Sequence, residues 1–171
     1  MNTASEKHLA EVYPGLASRA RAAAEACSTP TYTVEFYQGV RTWAQQQELW
    51  NKGRDAQGNI IDPKQIVTHA RPGQSYHQVG LSLDFFIEEN GQAVWSTTHP
   101  GYEAMVAAAE AQGLVSGSRW PEPKTDFDHL QLTGRFPENE PDSYCLYLFK
   151  EGGMAAVWAE VDKALGEVSA T

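Results

Sequence analysis

The chain has 171 residues, 42% of them hydrophobic and 20% charged, which suits one soluble globular domain large enough to bury a core. Its 13 basic and 22 acidic residues give a formal net charge of −9, which argues against nucleic acid or an anionic membrane as partner, since both need clusters of Lys and Arg. No apolar run is long enough to span a bilayer, and the opening MNTASEKHLAEVYPG lacks the basic start and apolar stretch of a secretory signal, so synthesis and retention in the cytosol are expected unless another route lets the protein out.

Repeats, low-complexity tracts and Pro/Gly/Ser-rich linkers are absent, so residues 1–171 are expected to form a single domain, acting as a monomer. The segment from about Ser5 to Cys27 is Ala-rich and spaces Leu9, Val12 and Leu16 as a helix does, with Pro14 a kink or break. TYTVEFYQG alternates β-branched and aromatic residues with polar ones, as a strand does. Thr42 and Gln45 have the spacing of a capping box, so a helix should start there and run to Gly53. Arg54 to Gly73 is rich in Gly, Pro, Asp and Asn and reads as a long surface loop of the kind that often carries function.

GLSLDFFIEENGQAVW reads as a hairpin turning at Asn90-Gly91. A helix is expected from Pro100 to Gln112, with Tyr102, Met105, Val106 and Ala109 on one face, and a short strand at His129 to Leu132. A last helix, about 153–167, places Met154, Val157, Trp158, Val161 and Leu165 together and is expected to pack on the rest. Strands interspersed with helices and joined by a hairpin predict an α+β fold with antiparallel pairing. Cys27 and Cys145 are too few and too far apart for a zinc finger, and without a secretion signal they are expected to be buried free thiols.

Of the five histidines, His77 and His129 stand beside acidic residues at the edges of expected strands. His77 and Asp84 are seven residues apart with Gly80 between them, so a loop histidine and a strand carboxylate can converge. Asp126 lies three residues before His129. Two histidines and a carboxylate make a zinc site with one position left for water, although a histidine beside an aspartate is also a common structural pair. There is no G-x-S-x-G elbow, P-loop or G-x-G-x-x-G, and neither cysteine has a reactive context.

SYHQVGLSLD resembles the S-x-H-x-x-G-x-A-x-D motif of the D-Ala-D-Ala carboxypeptidase and dipeptidase family of zinc peptidases. That family includes phage endolysins that cut the L-alanyl-D-glutamate bond, and it shares its fold with the hedgehog signalling domain. The resemblance extends back through GVRTWAQQQELWNKGR and IVTHARPGQSYH, and forward through W-x-x-x-HPGYEAM and DFDHLQL, or roughly Leu9 to Leu132. It implies a small antiparallel sheet flanked by helices. It implies Zn2+ held by His77, Asp84 and His129, with Asp126 as general base and then proton donor to the leaving amine. Arg41 matches the arginine that steadies the substrate carbonyl, and Ser75 a position that hydrogen-bonds substrate.

The implied substrate is the peptide stem of peptidoglycan, reached once the inner membrane is breached. Ser82 replaces the motif's usual Ala, Asp128 stands where the endolysin branch has Pro, and His69 where it often has Asn. An Asp base, rather than the Glu of the dipeptidase branch, favours L-alanyl-D-glutamate cleavage. The alternatives are a D,D- or L,D-carboxypeptidase, or a zinc-bearing module that binds wall peptides without cutting them. For the base, Asp128 rivals Asp126. On a regular strand 126 and 128 face away from 129, so Asp126 needs a bend before His129.

Overall fold

A computed structural model describes residues 1–166. Two helices open the chain: α1, Thr3–Glu11, capped by the Asn2 side chain, and α2, Pro14–Cys27. Pro14 breaks the expected single helix in two, because it lacks an amide hydrogen to continue the first and suits the first turn of the second. Strand β1, Tyr32–Gln38, follows, then α3, Trp43–Asn51, where Thr42 and Gln45 form the full reciprocal capping box.

Strand β2, Ser82–Glu89, turns at Asn90-Gly91 into β3, Gln92–Val94. Both turn residues have positive φ, 53° and 74°, as a two-residue hairpin turn requires. Helix α4 is Pro100–Ala111, with His99 as its cap, and β4, Val115–Ser116, and β5, His129–Gln131, complete the sheet. The order is β1-β2-β5-β4, with β3 pairing the far end of β2, and every pairing is antiparallel. Helices α1, α2 and α4 cover one face of this sheet, giving the expected α+β architecture.

The pleat of β2 decides what each face does. Leu83, Phe85 and Ile87 turn to the helices and are fully buried with Leu16, Phe36 and Met105. Ser82, Asp84 and Phe86 alternate with them and face the other way. Burying such apolar side chains stabilises the fold by roughly 1.5–3 kcal/mol each, so the register that puts Asp84 on the open face is strongly enforced.

The last helix departs from expectation at its start. α5 runs Ser143–Leu165, capped by Asp142, and breaks its helical geometry at Gly153. The expected 153–167 helix is therefore only its second half, and Glu167 lies outside the described residues. The first half, SYCLYLFKEGG, is aromatic and lacks a polar face, so it carries no clear helical period. Val157 and Val161 join the common core, and Trp158 donates its indole N–H to Val79 O at 2.9 Å. Cys27 and Cys145 are free and buried, and burial pushes their thiols up to about 11 and about 12.

Ser82 is fully buried and its hydroxyl has no hydrogen-bond partner among the described residues, so the alanine usual at this motif position fits better. Ser82→Ala is expected to raise stability by about 1 kcal/mol in urea unfolding. A loss of stability would mean that the hydroxyl has a partner after all.

Candidate metal centre

Sheet register and one short turn assemble the site. Asp84 on β2 pairs directly with His129 on β5, so their side chains emerge side by side on the open face. His77 sits in a 3-10 turn, Tyr76–Val79, ended by Gly80 in the left-handed region at φ 71°. A side chain at Gly80 would meet the Trp158 ring at 2.9 Å, so α5 holds this turn from behind. The three residues are buried, and their ligand atoms lie within 4.8 Å of one another.

Hydrogen bonds on the outer side of each ring fix what faces inward. His77 Nδ1 lies 2.8 Å from Gly39 O, and a carbonyl only accepts, so Nδ1 carries the hydrogen. Burial lowers the pKa of His77 and keeps it neutral, which leaves Nε2 as a bare lone pair 3.1 Å from Asp84 Oδ1. His129 repeats the pattern. Gln131 Nε2 donates to Glu138 O at 2.6 Å, which turns Gln131 Oε1 toward His129 Nε2 at 3.1 Å. His129 Nε2 is then the donor, and Nδ1 faces the same Asp84 Oδ1 at 3.1 Å.

Two imidazole lone pairs therefore converge on one carboxylate oxygen, and that arrangement repels unless a cation stands between them. Burial opposes ionisation of Asp84, but the two histidines outweigh it and hold the carboxyl well below the usual range. Ligands at zinc bond lengths of ~2.0–2.1 Å lie about 3.3 Å apart in a tetrahedron, close to the 3.1 Å separations seen here. Two nitrogens and one oxygen also suit zinc, and the residues present fit the ion. Burial works to lower the pKa of His129, but the hydrogen bond to Asp84 prevails and raises it above the ordinary value.

Arg41 holds the other oxygen of Asp84. Its Nη2 lies 3.3 Å from Asp84 Oδ2, and its Nη1 donates to Gln46 Oε1 at 3.0 Å. Gln46 is fully buried and donates in turn to Ala70 O at 2.8 Å, which ties the 54–73 loop to the site. Two of Arg41's five N–H groups are thus engaged, and Nε is buried without a partner among the described residues.

Asp126 meets the geometric condition set by its spacing. Phe127 and Asp128 form a turn, His129 N approaches Asp126 O at 3.5 Å, and β5 begins only at His129. Gly117 permits this, since a side chain there would meet Asp126 O at 2.7 Å and His129 Cβ at 3.1 Å. Asp126, Asp128, Arg41, Ser75 and His69 all line one cavity of about 1040 Å³ that is also lined by His77, Asp84 and His129. Ser75 is buried and gives no helix-capping bond; His69 is exposed at the rim. Asp128 accepts from the Tyr37 hydroxyl at 2.6 Å. Burial pushes its carboxyl up to about 7, helped by a hydrogen bond with Asp126 and the charge of Asp84.

Sequence reasoning missed Gly39, Gln46, Gly117 and Gln131. Only Gln131 left a signal: a polar residue two positions after His129 shares its face of the strand.

The family model described as VanY, D-alanyl-D-alanine carboxypeptidase, matches residues 10–122. The peptidoglycan L-alanyl-D-glutamate endopeptidase CwlK of Bacillus subtilis (strain 168) is 30% identical over 130 residues, covering 71% of this chain and 74% of that protein. The crystal structure of Serratia marcescens L-Ala D-Glu endopeptidase ChiX superposes with a TM-score of 0.56 at 22% identity, covering 79% of this chain and 90% of the other, a likeness of fold.

His77→Ala and His129→Ala are expected to purify without zinc by elemental analysis, and Gln131→Met to bind it roughly 10–100-fold more weakly in chelator competition. Full metal retention in either histidine variant would remove that residue as a ligand. In metal-free protein, NMR should show His129 titrating above the ordinary value of about 6.5, with zinc abolishing the titration. The proton favours the folded state, so this pair stabilises metal-free protein in acid and loses that effect as pH rises through the raised midpoint.

Proposed function

The chain belongs to the VanY family of D-alanyl-D-alanine carboxypeptidases, and from that premise we propose that it is a zinc-dependent peptidoglycan endopeptidase cutting the L-alanyl-D-glutamate bond. The observation that carries the metal is the pair of imidazole lone pairs on Asp84 Oδ1. The bond is supported by CwlK, which carries that activity in its name, and by the Asp at position 126. The motif run that resembles the phage endolysins supports a lytic role at the cell wall. Among the described residues no helix is long and apolar enough to cross a membrane.

A bound zinc ion lowers the pKa of water to about 7 and polarises a carbonyl. The remaining work falls to side chains around the cavity. Asp126, on its turn above the ligands, accepts the proton of the attacking water and passes it to the leaving amine. Asp84, with His77 and His129, would hold the ion; Arg41 engages Asp84 Oδ2, and its remaining N–H groups would offer charge to the developing oxyanion. Ser75, which lines the cavity, is the proposed hydrogen-bond partner of the substrate backbone. Arg41 and Lys124 are the cavity's Lys and Arg residues. With Arg41 committed to Asp84, Lys124 is the partner for a substrate carboxylate beside the cut bond. We read residues 1–171 as one catalytic domain, with α5 packed on it through Val157 and Val161.

Purified peptidoglycan digested with the protein should yield new D-glutamate amino termini, and a chelator should stop their release. New termini of another kind, or release of a single C-terminal residue, would move the cut and favour the carboxypeptidase reading. No release from several wall types would favour a module that binds without cutting. Asp126→Asn is expected to lower kcat by roughly 10²–10⁴-fold with zinc retained. Asp128→Asn keeps an acceptor for Tyr37 and should cost less than about tenfold. The reverse order would make Asp128 the base.

A further inference from the structure

The open face of the sheet does not end at the metal site. Phe86 follows Asp84 on the same face of β2, about 7 Å further along the strand. There it meets two other rings. Trp95, just beyond β3, stacks on Phe86 with centroids 5.3 Å apart and an interplanar angle of 28°. Tyr37 stands edge-on to Trp95 at 5.2 Å. Trp95 is 56% exposed and Tyr37 is 38% exposed, so the cluster is a surface feature and not core.

The cluster is also held firmly. Val94 pairs with Ile87, and its carbonyl accepts from the Tyr102 hydroxyl at 3.0 Å, which anchors the residue before Trp95. Tyr37 lines the cavity and donates to Asp128, so the patch is continuous with the site wall. Half-buried Glu88 is next on the same strand face and supplies a hydrogen-bond acceptor at its edge. Rigid exposed aromatics adjoining a cleft mark a binding surface.

We propose that Trp95, Phe86 and Tyr37 form a platform for the sugar rings of the glycan strand, which makes the enzyme prefer stem peptides still attached to muramic acid. This rests on the endopeptidase reading, because the L-alanyl-D-glutamate bond lies only one residue from the lactyl group of the sugar. One extended residue spans about 3.5 Å, so the sugar lies within roughly 10 Å of the cut bond, the distance scale that separates Phe86 from Asp84. Pyranose rings offer flat C–H faces ringed by hydroxyls, matching a ring platform with a carboxylate at its edge. Neutral stacking also suits a protein of net charge −9 that meets an anionic wall.

The test compares a disaccharide-linked muramyl peptide with the same peptide N-acetylated and free of sugar. Trp95 is exposed and outside the catalytic machinery, so Trp95→Ala should fold. It is expected to raise KM for the glycopeptide roughly tenfold, to leave kcat nearly unchanged, and to leave the sugar-free peptide unaffected, while Trp95→Phe restores most of the loss. Equal loss on both substrates, or loss on neither, overturns the proposal. A peptide-free GlcNAc-MurNAc oligosaccharide, followed by chemical-shift perturbation, separates the two readings. Binding that disappears in Trp95→Ala supports the platform even if neither peptide is cut at the expected bond, and absence of binding overturns it even if both are.

Discussion

Everything at this site depends on one crowded oxygen. Asp84 Oδ1 receives two histidine nitrogens whose outer N–H groups are already taken by Gly39 O and Gln131 Oε1. Each neutral histidine has a single N–H, and its outer bond uses it, so each presents an acceptor to an oxygen that is itself an acceptor. Two rings, each forced by its outer bond to present a lone pair, leave no arrangement of protons that satisfies both without charging a buried imidazole. A cation resolves that conflict directly. Arg41 cannot serve in its place, because its charge sits on the opposite oxygen, where it neutralises part of the carboxylate and leaves the crowded side free.

The supports behind these groups divide into rigid and adjustable parts. Asp84 and His129 are opposite residues in a paired register that the core enforces, so the distance between them is set by the sheet itself. His77 depends on the Gly80 turn, and that turn on Trp158 of α5. Asp126, by contrast, stands on a turn packed against Gly117, and the cavity wall of residues 54–73 is tied in through the Arg41–Gln46–Ala70 chain. Two of the proposed metal ligands stand on paired strands and the third on a turn held from behind, while the proposed proton carrier stands on a turn of its own; ligand geometry tolerates little error, whereas a proton carrier would have to reach first a water and then an amine.

Much of this was legible from the sequence where the cause was local. The Thr42 capping box, the Asn90-Gly91 turn, the Pro14 break and the α4 face each follow from short-range chemistry, and the structure has all four. The spacing from His77 to Asp84 was also readable, because one glycine and one strand suffice to join them. Gly39, which holds the outer nitrogen of His77, and Glu138, which orients Gln131 behind His129, were not, since each acts through a backbone carbonyl and any residue type has one. Gly117 was hidden for a related reason: its role is to have no side chain where two other segments meet. The first half of α5 escaped because its solvent-facing positions include Tyr144 and Tyr147, so hydrophobicity does not mark its buried side.

The departures from the family motif show how place in the fold sets the consequence of a substitution. Ser82 lies at the buried start of β2, where its hydroxyl finds no partner among the described residues. That position can accept a polar group only at a cost in stability, with no route to function. Asp128 lies on the cavity rim, within reach of the Tyr37 hydroxyl and the Asp126 carboxyl. A proline there would only stiffen the turn, whereas aspartate adds a second acid beside the first and links the turn to the aromatic patch through Tyr37. One change is therefore confined to folding, and the other alters the surface that meets substrate.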